Sequence, residues 1–395
     1  MDNFTQDDAL NFEFYTKFIE PFEEKKNLEK YITYCVVILF SFIIVIGSMG
    51  NLLVILVACQ KKMRNSTNTL IIGLAYSDLM FLVFCVPITA ITYTSQIWLF
   101  PIWICKLVYY LQHTSAYSSV WTLTLMAVDR YLAVCHPVSS ISIRNSKNAL
   151  IALILTYSII LISQIHVARG HGIYHYNFIF ENRSTCAMEK IAYGTASLTE
   201  TRFYYFSFNI FGYLIPLLIT CILYFYMLRR LWYPSRYVSG RLPRQKDGVI
   251  KVNYESTRVK KKATKLILIV VIIWSFCWLP FNVVSMLSGV VYPSTITQLW
   301  GKHAIICTVA AQVLAYANSC LNPILYALIS ESYKKGFIKI AIYILKMGRL
   351  SPTKWCISQL NDTSIVDVSK DRSIYLNANL RNRHHVLHLD SFDKN

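Results

Sequence analysis

Asp78, in the stretch LAYSDLM, is the only acidic residue deep inside any long apolar segment of this chain. An ionisable side chain in such a segment needs a partner or water, and it marks a functional site by default. Ser119, Asn318 and Asn322 lie in other apolar segments and are positioned to supply that partner. Two chemistries remain open. Hard oxygen ligands hold a monovalent cation such as sodium, or Asp78 is protonated and hydrogen-bonded with no ion.

A second charged group, Asp129–Tyr131 (Asp-Arg-Tyr), lies at the inner end of another apolar segment. Within that segment, Ser119 follows Gln112 by seven residues, and Arg130 follows Ser119 by eleven. These intervals place all three side chains on one face of a helix. A neighbouring Asp and Arg at a membrane interface are usually two charged side chains that extend toward water. The basic loops beside this pair favour a functional role.

Other site chemistries are absent from the sequence. It contains no nucleophile–base pair, no His-rich spacing for a metal ion and no phosphate-binding Gly-rich loop. The sequence therefore predicts no enzyme activity and no required cofactor.

The elements that position these residues are long and apolar. The chain has 395 residues, of which 55% are hydrophobic and 15% charged, whereas about 25% of the residues in soluble domains are charged. Runs of about 20 apolar residues match the ~30 Å hydrocarbon core of a bilayer. The sequence predicts an all-α bundle of seven transmembrane helices, named spans 1 to 7: 32–58, 68–94, 104–134, 148–168, 203–231, 264–291 and 303–329.

Lys and Arg residues predict the orientation of the bundle. They are concentrated in the connections 60–67, 136–147 and 232–258, whereas the connection 95–103 has none. We therefore expect a multi-pass protein of the plasma membrane with an extracellular N-terminus. The net charge of +18 then lies mostly on the cytoplasmic face beside anionic lipid, and it does not indicate nucleic-acid binding.

This orientation divides the chain into four parts. Residues 1–31 form an extracellular N-terminal tail, and 32–330 form the bundle. Apolar residues at helical spacing predict a short amphipathic helix at 331–346 that lies in the inner membrane interface. The polar segment 347–395 is predicted to be a disordered cytoplasmic tail.

Two cysteines lie on the outer side, where oxidising conditions allow a disulfide to persist. Cys105 is at the outer end of span 3 and Cys186 is in the long outer loop 169–202, so we predict a disulfide between them. The outer sequons Asn3 (N-F-T) and Asn182 (N-R-S) predict glycosylation.

Several short motifs occur in order along the spans: Asn51 after Gly50, LAYSD, DRYLAVCHP, CWLP and NPILY. Together with Cys105 they resemble the motifs of rhodopsin-like G-protein-coupled receptors. They lie in spans 1, 2, 3, 6 and 7, and although each alone is weak, the set is highly specific. More narrowly, VLAYANSCLNPILYALISESYKK, LMAVDRYLAVCHPVSSISIRN and IWLFPIWICK are similar to the allatostatin-A and galanin branch of neuropeptide receptors.

The resemblance assigns an activation role to residues of spans 3, 5, 6 and 7. Arg130 would be held by Asp129 at rest and would engage a heterotrimeric G protein once span 6 moves outward. The resemblance also implies that arrestin binds through the tail 347–395. Trp278 would form the floor of the ligand pocket, and Pro280 would be the kink about which span 6 moves. The full set of activation residues is Asp129, Arg130, Tyr131, Tyr224, Trp278, Pro280, Asn322, Pro323 and Tyr326.

The outer half of span 3 lacks the acidic residue that an amine receptor needs, because Gln112 and His113 stand there. A small amine ligand is therefore not expected. Amide and aromatic side chains suit a neuropeptide with an amidated end, since Gln binds backbone amides and rings accept hydrophobic side chains. The predicted ligand-binding residues are Gln112, His113, Phe208, Phe281, Asn282, Ser285, Gln312 and Tyr316.

Two alternatives compete with a peptide-activated, G-protein-coupled receptor. A receptor that binds peptide without coupling is one, although the intact DRY and NPILY motifs argue against it. A membrane transporter or channel would need repeat symmetry or a continuous polar lining, which the chain lacks. One departure from the family bears on coupling: Lys260 stands where some members carry an acid that binds the equivalent of Arg130. Thr264 is the nearest substitute.

Overall fold

The computed structural model of the chain describes residues 20–178, 181–232, 248–291 and 293–347. Asn3, most of the connector after span 5 and the tail from residue 348 onward lie outside the described residues. The predictions of a disordered tail and of arrestin binding through it therefore remain predictions.

Seven helical spans account for most of the described residues, and the predicted seven-helix bundle is confirmed. Six of them contain a stretch that is apolar and long enough to cross a membrane. The third span is equally long but more polar, because Gln112, His113 and many Ser, Thr and Tyr residues lie in its middle. Spans 1 to 7 consist of Glu20–Ala58, Ser66–Met80 with Val86–Thr94, Ile102–Cys135, Ser146–Ser163 with Ile165–Gly170, Leu198–Asn209 with Ile215–Trp232, Gly248–Val291, and Pro293–Ile329. The last of these is interrupted at Gly301, where a φ of 50° breaks the helix.

Spans 2 and 5 each contain one π-helical turn just before a proline. The turns are Phe81–Cys85, before Pro87, and Ile210–Leu214, before Pro216. In a regular helix the proline ring collides with the carbonyl four residues earlier and leaves that carbonyl without a donor. A widened turn relieves this conflict. Both prolines are thereby accommodated within continuous spans.

Span 1 begins earlier than predicted, because its helix starts at Glu20, inside the segment predicted to be an extracellular tail. The sequence EPFEEKKNLEK supplies the reason, since it is rich in helix-forming Glu, Lys and Leu. Its one proline, Pro21, lies in the first helical turn, where a missing N–H is not harmful. The change from polar to apolar residues marks the edge of the bilayer, but it does not mark the start of this helix, which begins outside the bilayer.

The outer loop between spans 4 and 5 contains a β-hairpin that the all-α prediction omitted. Strands β1 (His171–Phe178) and β2 (Glu181–Met188) pair in antiparallel register, with His171 opposite Met188. The sequence of β1, HGIYHYNF, contains the aromatic and β-branched residues that favour strands. A membrane bundle can therefore carry a short sheet where the chain lies outside the bilayer.

Several contacts attach the hairpin to the bundle. The predicted disulfide between Cys105 and Cys186 is confirmed and joins β2 to the outer end of span 3, with the Cα atoms 5.6 Å apart. Ser184 joins β2 to the first outer loop: its Oγ accepts the Trp98 N–H at 2.9 Å, and its own N–H donates to the Gln96 carbonyl at 3.2 Å. These links hold the hairpin over the outer ends of the helices.

Apolar side chains occupy both the interior and the outer faces of the bundle. Phe40 and Leu82 are fully buried between the spans. Phe42 and Phe276 point outward and are 62% and 68% exposed. Exposure of this kind is unfavourable in water, whereas the hydrocarbon of a bilayer covers it. The polar groups that matter for function are therefore enclosed by the helices.

A helix at Glu331–Met347 follows span 7, as predicted for the amphipathic segment. Its first turn is anchored by Tyr333, whose ring stacks on Tyr326 with centroids 5.4 Å apart. The Tyr333 hydroxyl also donates to Asn68 Oδ1 at 3.2 Å. Tyr333 thus connects the start of this helix to spans 2 and 7.

Candidate ligand cavity and coupling site

A cavity of about 650 Å³ lies between the outer halves of spans 2, 3, 5, 6 and 7. Ligand pockets in proteins have volumes of about 300–1,000 Å³. Seven of the eight predicted ligand-binding residues line it: Gln112, His113, Phe208, Phe281, Ser285, Gln312 and Tyr316. The eighth, Asn282, is buried elsewhere, where its Nδ2 donates to the Trp278 carbonyl at 2.8 Å. Asn282 follows Phe281 directly in the helix, so its side chain points in a different direction and does not face the cavity that Phe281 lines.

The polar groups of the cavity are partly paired with one another. Gln112 Nε2 donates to Thr89 Oγ1 at 2.9 Å. The second glutamine, Gln312, uses both ends of its amide: Oε1 accepts the Tyr93 hydroxyl at 2.5 Å, and Nε2 donates to the Tyr316 hydroxyl at 2.9 Å. Gln312 is therefore held by its neighbours. Gln112 keeps its carbonyl oxygen free of hydrogen bonds to the described residues.

Aromatic rings form the deeper wall of the cavity. Phe208 is central, with ring centroids 5.1 Å from His113, 5.9 Å from Phe281 and 6.3 Å from Trp278. Trp278 and Phe281 contact each other edge-on at 5.9 Å, a geometry that aromatic pairs favour. Since these rings come from spans 3, 5 and 6, a side chain inserted here contacts the helix that is expected to move.

The sequence analysis missed several lining residues. Thr185 and Cys186 of β2 border the cavity, as do Tyr109, Tyr204 and Tyr205. The predicted disulfide was a usable signal, because it requires Cys186 to lie beside the outer end of span 3. The tyrosines gave no comparable signal, since aromatic residues at the outer end of a span are equally common at the membrane interface.

Asp78 lies below this cavity in a fully hydrogen-bonded setting, with 1% of its surface exposed. Its Oδ1 accepts the hydroxyls of Ser119 at 3.0 Å and Ser319 at 3.2 Å, and its Oδ2 accepts Asn322 Nδ2 at 2.8 Å. The structure thus brings three of the four predicted residues together. Asn318 is buried nearby, but the neighbouring Ser319 donates to Asp78 in its place.

Pro323 breaks the hydrogen bonding of span 7, and the structure provides a substitute donor. A proline removes the N–H that would bind the carbonyl four residues earlier, which is that of Ser319. Asn51 Nδ2 donates to this oxygen at 2.8 Å and to the Gly47 carbonyl at 2.9 Å. A Cβ at Gly50 would lie 2.8 Å from Pro323 Cβ. Span 1 therefore approaches span 7 closely only because residue 50 is glycine.

At the inner end of span 3, Asp129 accepts four hydrogen bonds. Its Oδ1 accepts Ser66 Oγ at 2.6 Å and Arg144 Nε at 3.1 Å. Its Oδ2 accepts Thr67 Oγ1 at 2.7 Å and an Arg130 guanidinium nitrogen at 3.0 Å. The predicted resting pair of Asp129 and Arg130 is therefore present. The contribution of Arg144 was not predicted.

The inner ends of spans 3, 5, 6 and 7 contain buried polar atoms with no hydrogen-bond partner among the described residues. They are Arg130 Nε, the hydroxyls of Tyr224 and Tyr326, and Thr264 Oγ1. A buried polar group without a partner is unfavourable. Thr264 does not substitute for the missing acid of span 6, because its hydroxyl does not bind Arg130. These atoms have capacity for new hydrogen bonds once the helices rearrange.

Three further activation residues occupy separate places. The Tyr131 hydroxyl lies 3.4 Å from His136 Nε2 at the inner surface. Trp278 is at the cavity floor, and its buried Nε1 has no hydrogen-bond partner among the described residues. Pro280 lies within the continuous helix Gly248–Val291. The tryptophan is thus two residues from the predicted kink of span 6.

Residues 50–326 match the 7 transmembrane receptor (rhodopsin family). The chain belongs to this family. It is therefore a G-protein-coupled receptor and a multi-pass protein of the plasma membrane, and neither an enzyme nor a transporter or channel. The rhodopsin-family match spans the cavity, the Asp78 site and the Asp129 site described above.

Individual relatives place the receptor in the predicted branch. It is 49% identical over 342 residues to the galanin-like G-protein coupled receptor npr-9 of Caenorhabditis elegans, covering 85% of this chain and 79% of the relative. It is 39% identical over 325 residues to the allatostatin-A receptor of Bombyx mori, covering 81% and 82%. It is 30% identical over 346 residues to the human galanin receptor type 1, covering 85% and 89%.

Proposed function

We propose that the receptor binds a neuropeptide of the allatostatin-A or galanin type in its outer cavity and activates a heterotrimeric G protein through outward movement of span 6. The observation that carries this proposal is the character of the cavity lining. No Asp, Glu, Lys or Arg is present among the described residues that line it. A cationic amine would lose its hydration there without gaining a counter-charge. Peptide amides and hydrophobic side chains match the lining.

Gln112 is the residue that would recognise the peptide backbone. Its Nε2 is already bound to Thr89 Oγ1, so its carbonyl oxygen is the group left for a ligand. A carbonyl oxygen accepts hydrogen bonds, and a peptide that ends in a primary amide offers two N–H donors. A free carboxylate offers none and would bring a charge into a cavity without a cation. Both points favour an amidated end.

The ring cluster around Phe208 would bind a hydrophobic side chain of the same peptide. Such a side chain would contact Phe281 and Trp278, both on span 6. A ligand shifts a conformational equilibrium only through contacts that differ between the two states. Contacts on span 6 satisfy this requirement, because that span is the one expected to move.

Nucleotide exchange in nanodiscs tests this function. Purified receptor is mixed with each class of heterotrimeric G protein and challenged with synthetic allatostatin-A and galanin peptides, each as the amide and as the free acid. We expect exchange with at least one amidated peptide and a loss of potency of roughly tenfold or more for its free acid, since the acid lacks the N–H donors and buries an unpaired carboxylate. Silence with every peptide and every G protein would contradict the proposal.

A substitution at Gln112 refines the test. Gln112→Leu removes the acceptor while keeping the volume similar, so it should reduce the potency of the amide toward that of the acid. Ile305→Val is a matched control on the opposite wall, because it keeps an apolar lining residue. Binding of a labelled peptide without exchange would instead support the non-coupling alternative.

We also propose that Asp78 holds a sodium ion as an allosteric ligand. The residues fit such an ion, because the Asp78 carboxylate and the hydroxyls of Ser119 and Ser319 already converge within hydrogen-bonding distance. Hard oxygen ligands of this kind suit a hard monovalent cation. Asn322 would remain bound to the other carboxylate oxygen. Asn318 is not needed as a sodium ligand, so the proposed site omits one residue that the sequence predicted.

Sodium dependence checks this second proposal. Peptide binding is measured in sodium chloride and in the same concentration of N-methylglucamine chloride. For the unaltered receptor, sodium should change peptide affinity by several fold, because a coupling free energy between two sites acts on both ligands. Asp78→Asn should remove that difference while retaining hydrogen bonds. An equal sodium effect in Asp78→Asn would place the ion elsewhere.

A further inference from the structure

Asp129 is bound by a second arginine that the activation scheme does not use. Arg144 lies in the inner connection between spans 3 and 4, and its Nε donates to Asp129 Oδ1 at 3.1 Å. Arg130 binds the other oxygen, Oδ2, at 3.0 Å. Each oxygen also accepts one hydroxyl, from Ser66 and Thr67 respectively. One carboxylate is therefore divided evenly between two guanidinium groups.

Burial makes this sharing consequential. The side chain of Asp129 is 6% exposed, and those of Arg130 and Arg144 are 11% and 23% exposed. A buried carboxylate that loses its only cation is strongly destabilised. If Arg130 were the only cation beside Asp129, its movement toward a G protein would leave a buried carboxylate without a positive partner. Arg144 keeps a positive charge beside the carboxylate after Arg130 has left.

The connection around Arg144 holds this side chain in place. The Arg144 N–H donates to the Ser140 carbonyl at 2.9 Å. Ser140 is itself fixed to span 3, because its Oγ donates to the Leu132 carbonyl at 3.1 Å. On the other side, Asn145 caps span 4 by accepting the Asn148 N–H at 2.8 Å. Arg144 is therefore pre-positioned by its backbone and does not depend on Arg130.

The part of span 6 whose side chains the structure describes, from Thr264 to Val291, adds no competing anion. The inner-end hydroxyl of Thr264 has no hydrogen-bond partner there, and Asp129 is the carboxylate that binds Arg130. The strength of this one pair then sets how readily Arg130 is released. Two like charges on one carboxylate also repel each other, so Arg144 weakens the hold on Arg130 at rest.

We propose that Arg144 is a positioning residue for coupling: it holds the Asp129 carboxylate and takes over its charge when Arg130 is released to the G protein. This inference rests on coupling through Arg130. Arg144 acts through Asp129 and not by contact with the G protein. Removing Arg144 strengthens the resting pair and disfavours the active state.

Binding of nucleotide-free G protein tests the proposal without a peptide. Because G protein selects the state in which Arg130 is released, its Kd reports the free energy needed to reach that state. Full-length receptor in nanodiscs is titrated with G protein of each class after nucleotide removal. Arg144→Gln should weaken binding by roughly tenfold. Arg144→Lys retains the charge and should restore most of the affinity.

Two further variants separate the proposed role from simpler ones. Lys147→Gln removes an exposed positive charge three residues away and should leave Kd unchanged. In an Asp129→Asn background there is no carboxylate to share, so adding Arg144→Gln should have no further effect. If the loss persists in that background, Arg144 contacts the G protein directly and the proposal is overturned.

Two other results would also overturn it. Tighter or unchanged binding by Arg144→Gln would mean that Arg144 holds the resting state or has no role in coupling. No binding by the unaltered receptor would remove the coupling on which the inference rests. Melting temperatures of all variants are measured in the same nanodiscs, and the agreement of Arg144→Lys with the unaltered receptor shows that the connection is folded.

Discussion

The outer and inner ends of the bundle both carry a shared ion pair, but the sharing is reversed. At the outer end one guanidinium, that of Arg183, binds two carboxylates, those of Glu29 and Glu181. At the inner end one carboxylate, that of Asp129, binds two guanidinium groups. The outer network joins span 1 to the hairpin, and neither element is expected to move on activation. The inner network surrounds the residue that must be released.

The outer network is closed, in the sense that each of its charged side chains has a partner of opposite charge. Arg183 of β2 donates to both oxygens of Glu29 at 2.9 and 3.1 Å and to Glu181 at 2.8 Å, and its side chain is 5% exposed. Its guanidinium carbon also lies 4.0 Å from the centre of the Phe178 ring, a favourable cation–π distance. Lys26 of span 1 binds Glu181 at 2.8 Å. The outer extension of span 1 is thereby fastened to the hairpin.

In the inner network the Asp129 carboxylate is fully hydrogen-bonded, but several other buried polar groups are not. Arg130 Nε and the hydroxyls of Tyr224, Thr264 and Tyr326 are buried without hydrogen-bond partners among the described residues. Hydrogen-bonding groups in this state favour any rearrangement that pairs them. The comparison indicates that the outer end maintains its shape and the inner end changes.

Arg130→Ala should abolish peptide-stimulated nucleotide exchange while peptide affinity stays within about twofold of the unaltered receptor. The reason is that Arg130 lies at the inner end, far from the cavity, and is the group expected to engage the G protein. The measurement pairs an exchange assay with radioligand binding on the same nanodiscs. Lys147→Ala is the control for loss of an exposed inner charge. Residual signalling by Arg130→Ala would remove that residue from its assigned role.

Arg183→Ala breaks the outer network and should lower the melting temperature of the receptor by roughly 2–4 °C. It should also weaken peptide binding, since the hairpin residues Thr185 and Cys186 border the cavity. Arg183→Lys keeps the charge but cannot bind two carboxylates bidentately, so we expect an intermediate result. Lys190→Ala, which removes an exposed pair with Glu200, should have little effect. Equal melting temperatures for all three variants would contradict a closed outer network.

Tyr326→Phe deletes a buried hydroxyl that has no hydrogen-bond partner among the described residues. Resting stability should therefore change by less than about 0.5 kcal/mol or increase slightly. Exchange should nevertheless fall several fold, because the hydroxyl is expected to form hydrogen bonds only in the active arrangement. Thermal melting and exchange are measured on one preparation. A marked loss of stability would show that the hydroxyl is already bonded at rest.

His171, the first residue of β1, produces the smallest effect, in the pH dependence of stability. Burial lowers its pKa to about 4, partly offset by its bond to the Val167 carbonyl, with His166 lowering it further. An unfolded histidine has a pKa of about 6.5. Between these values the unfolded chain binds more protons, so His171 destabilises the fold increasingly as pH falls from about 6.5 toward 4. Above about 6.5 both states are neutral and the contribution is constant.

The measurement for His171 is the melting temperature at pH 7.5 and pH 5.0. The decrease on acidification should be smaller in His171→Asn than in the unaltered receptor. His175→Asn is a matched control, because His175 is exposed in the same strand. An identical pH dependence for His171→Asn would mean that His171 is not buried in its neutral form.

Glycosylation of Asn182 stays a prediction from the sequence. Asn182 is exposed on β2, beside the buried Arg183. A shift in electrophoretic mobility after glycosidase treatment, lost in Asn182→Gln, would support the modification. The other outer sequon, Asn3, lies outside the described residues and is tested in the same way.

Much of the fold followed from physical constraints that act locally. Runs of apolar residues predict the spans, because the bilayer demands about 20 of them in helical form. The disulfide followed from topology, since Cys105 and Cys186 are on the oxidising side. The β-hairpin was not predicted, because the bilayer places no requirement on the structure of a loop that lies outside it. The helix start at Glu20 was missed for the same reason.

Within the site, two predicted residues, Asn318 and Asn282, do not take the predicted part, and the two cases have a common cause. Ser319 binds Asp78 where Asn318 was expected, and Phe281 lines the cavity while Asn282 does not. Adjacent helical residues differ by about 100° in direction, so a small error in helix rotation exchanges them. Span 7 contains Pro323, which disturbs regular rotation. Arg144 was missed because an Arg in a basic inner loop carries no signal of its partner.

One distance measurement tests the contrast between the two ends most directly. Exposed free cysteines are first replaced by serine, and spin labels are placed in pairs. The inner pair is Lys265→Cys on span 6 with Lys147→Cys on span 4, and the outer pair is Lys30→Cys on span 1 with Asn177→Cys on β1. All four sites are exposed.

Pulsed electron–electron resonance in nanodiscs then compares the receptor alone with the receptor bound to peptide and nucleotide-free G protein. We expect the inner distance to increase on activation, while the outer distance keeps the same mean and width. An inner distance that does not change, or an outer distance that changes by as much, would contradict the division between a closed outer end and a rearranging inner end.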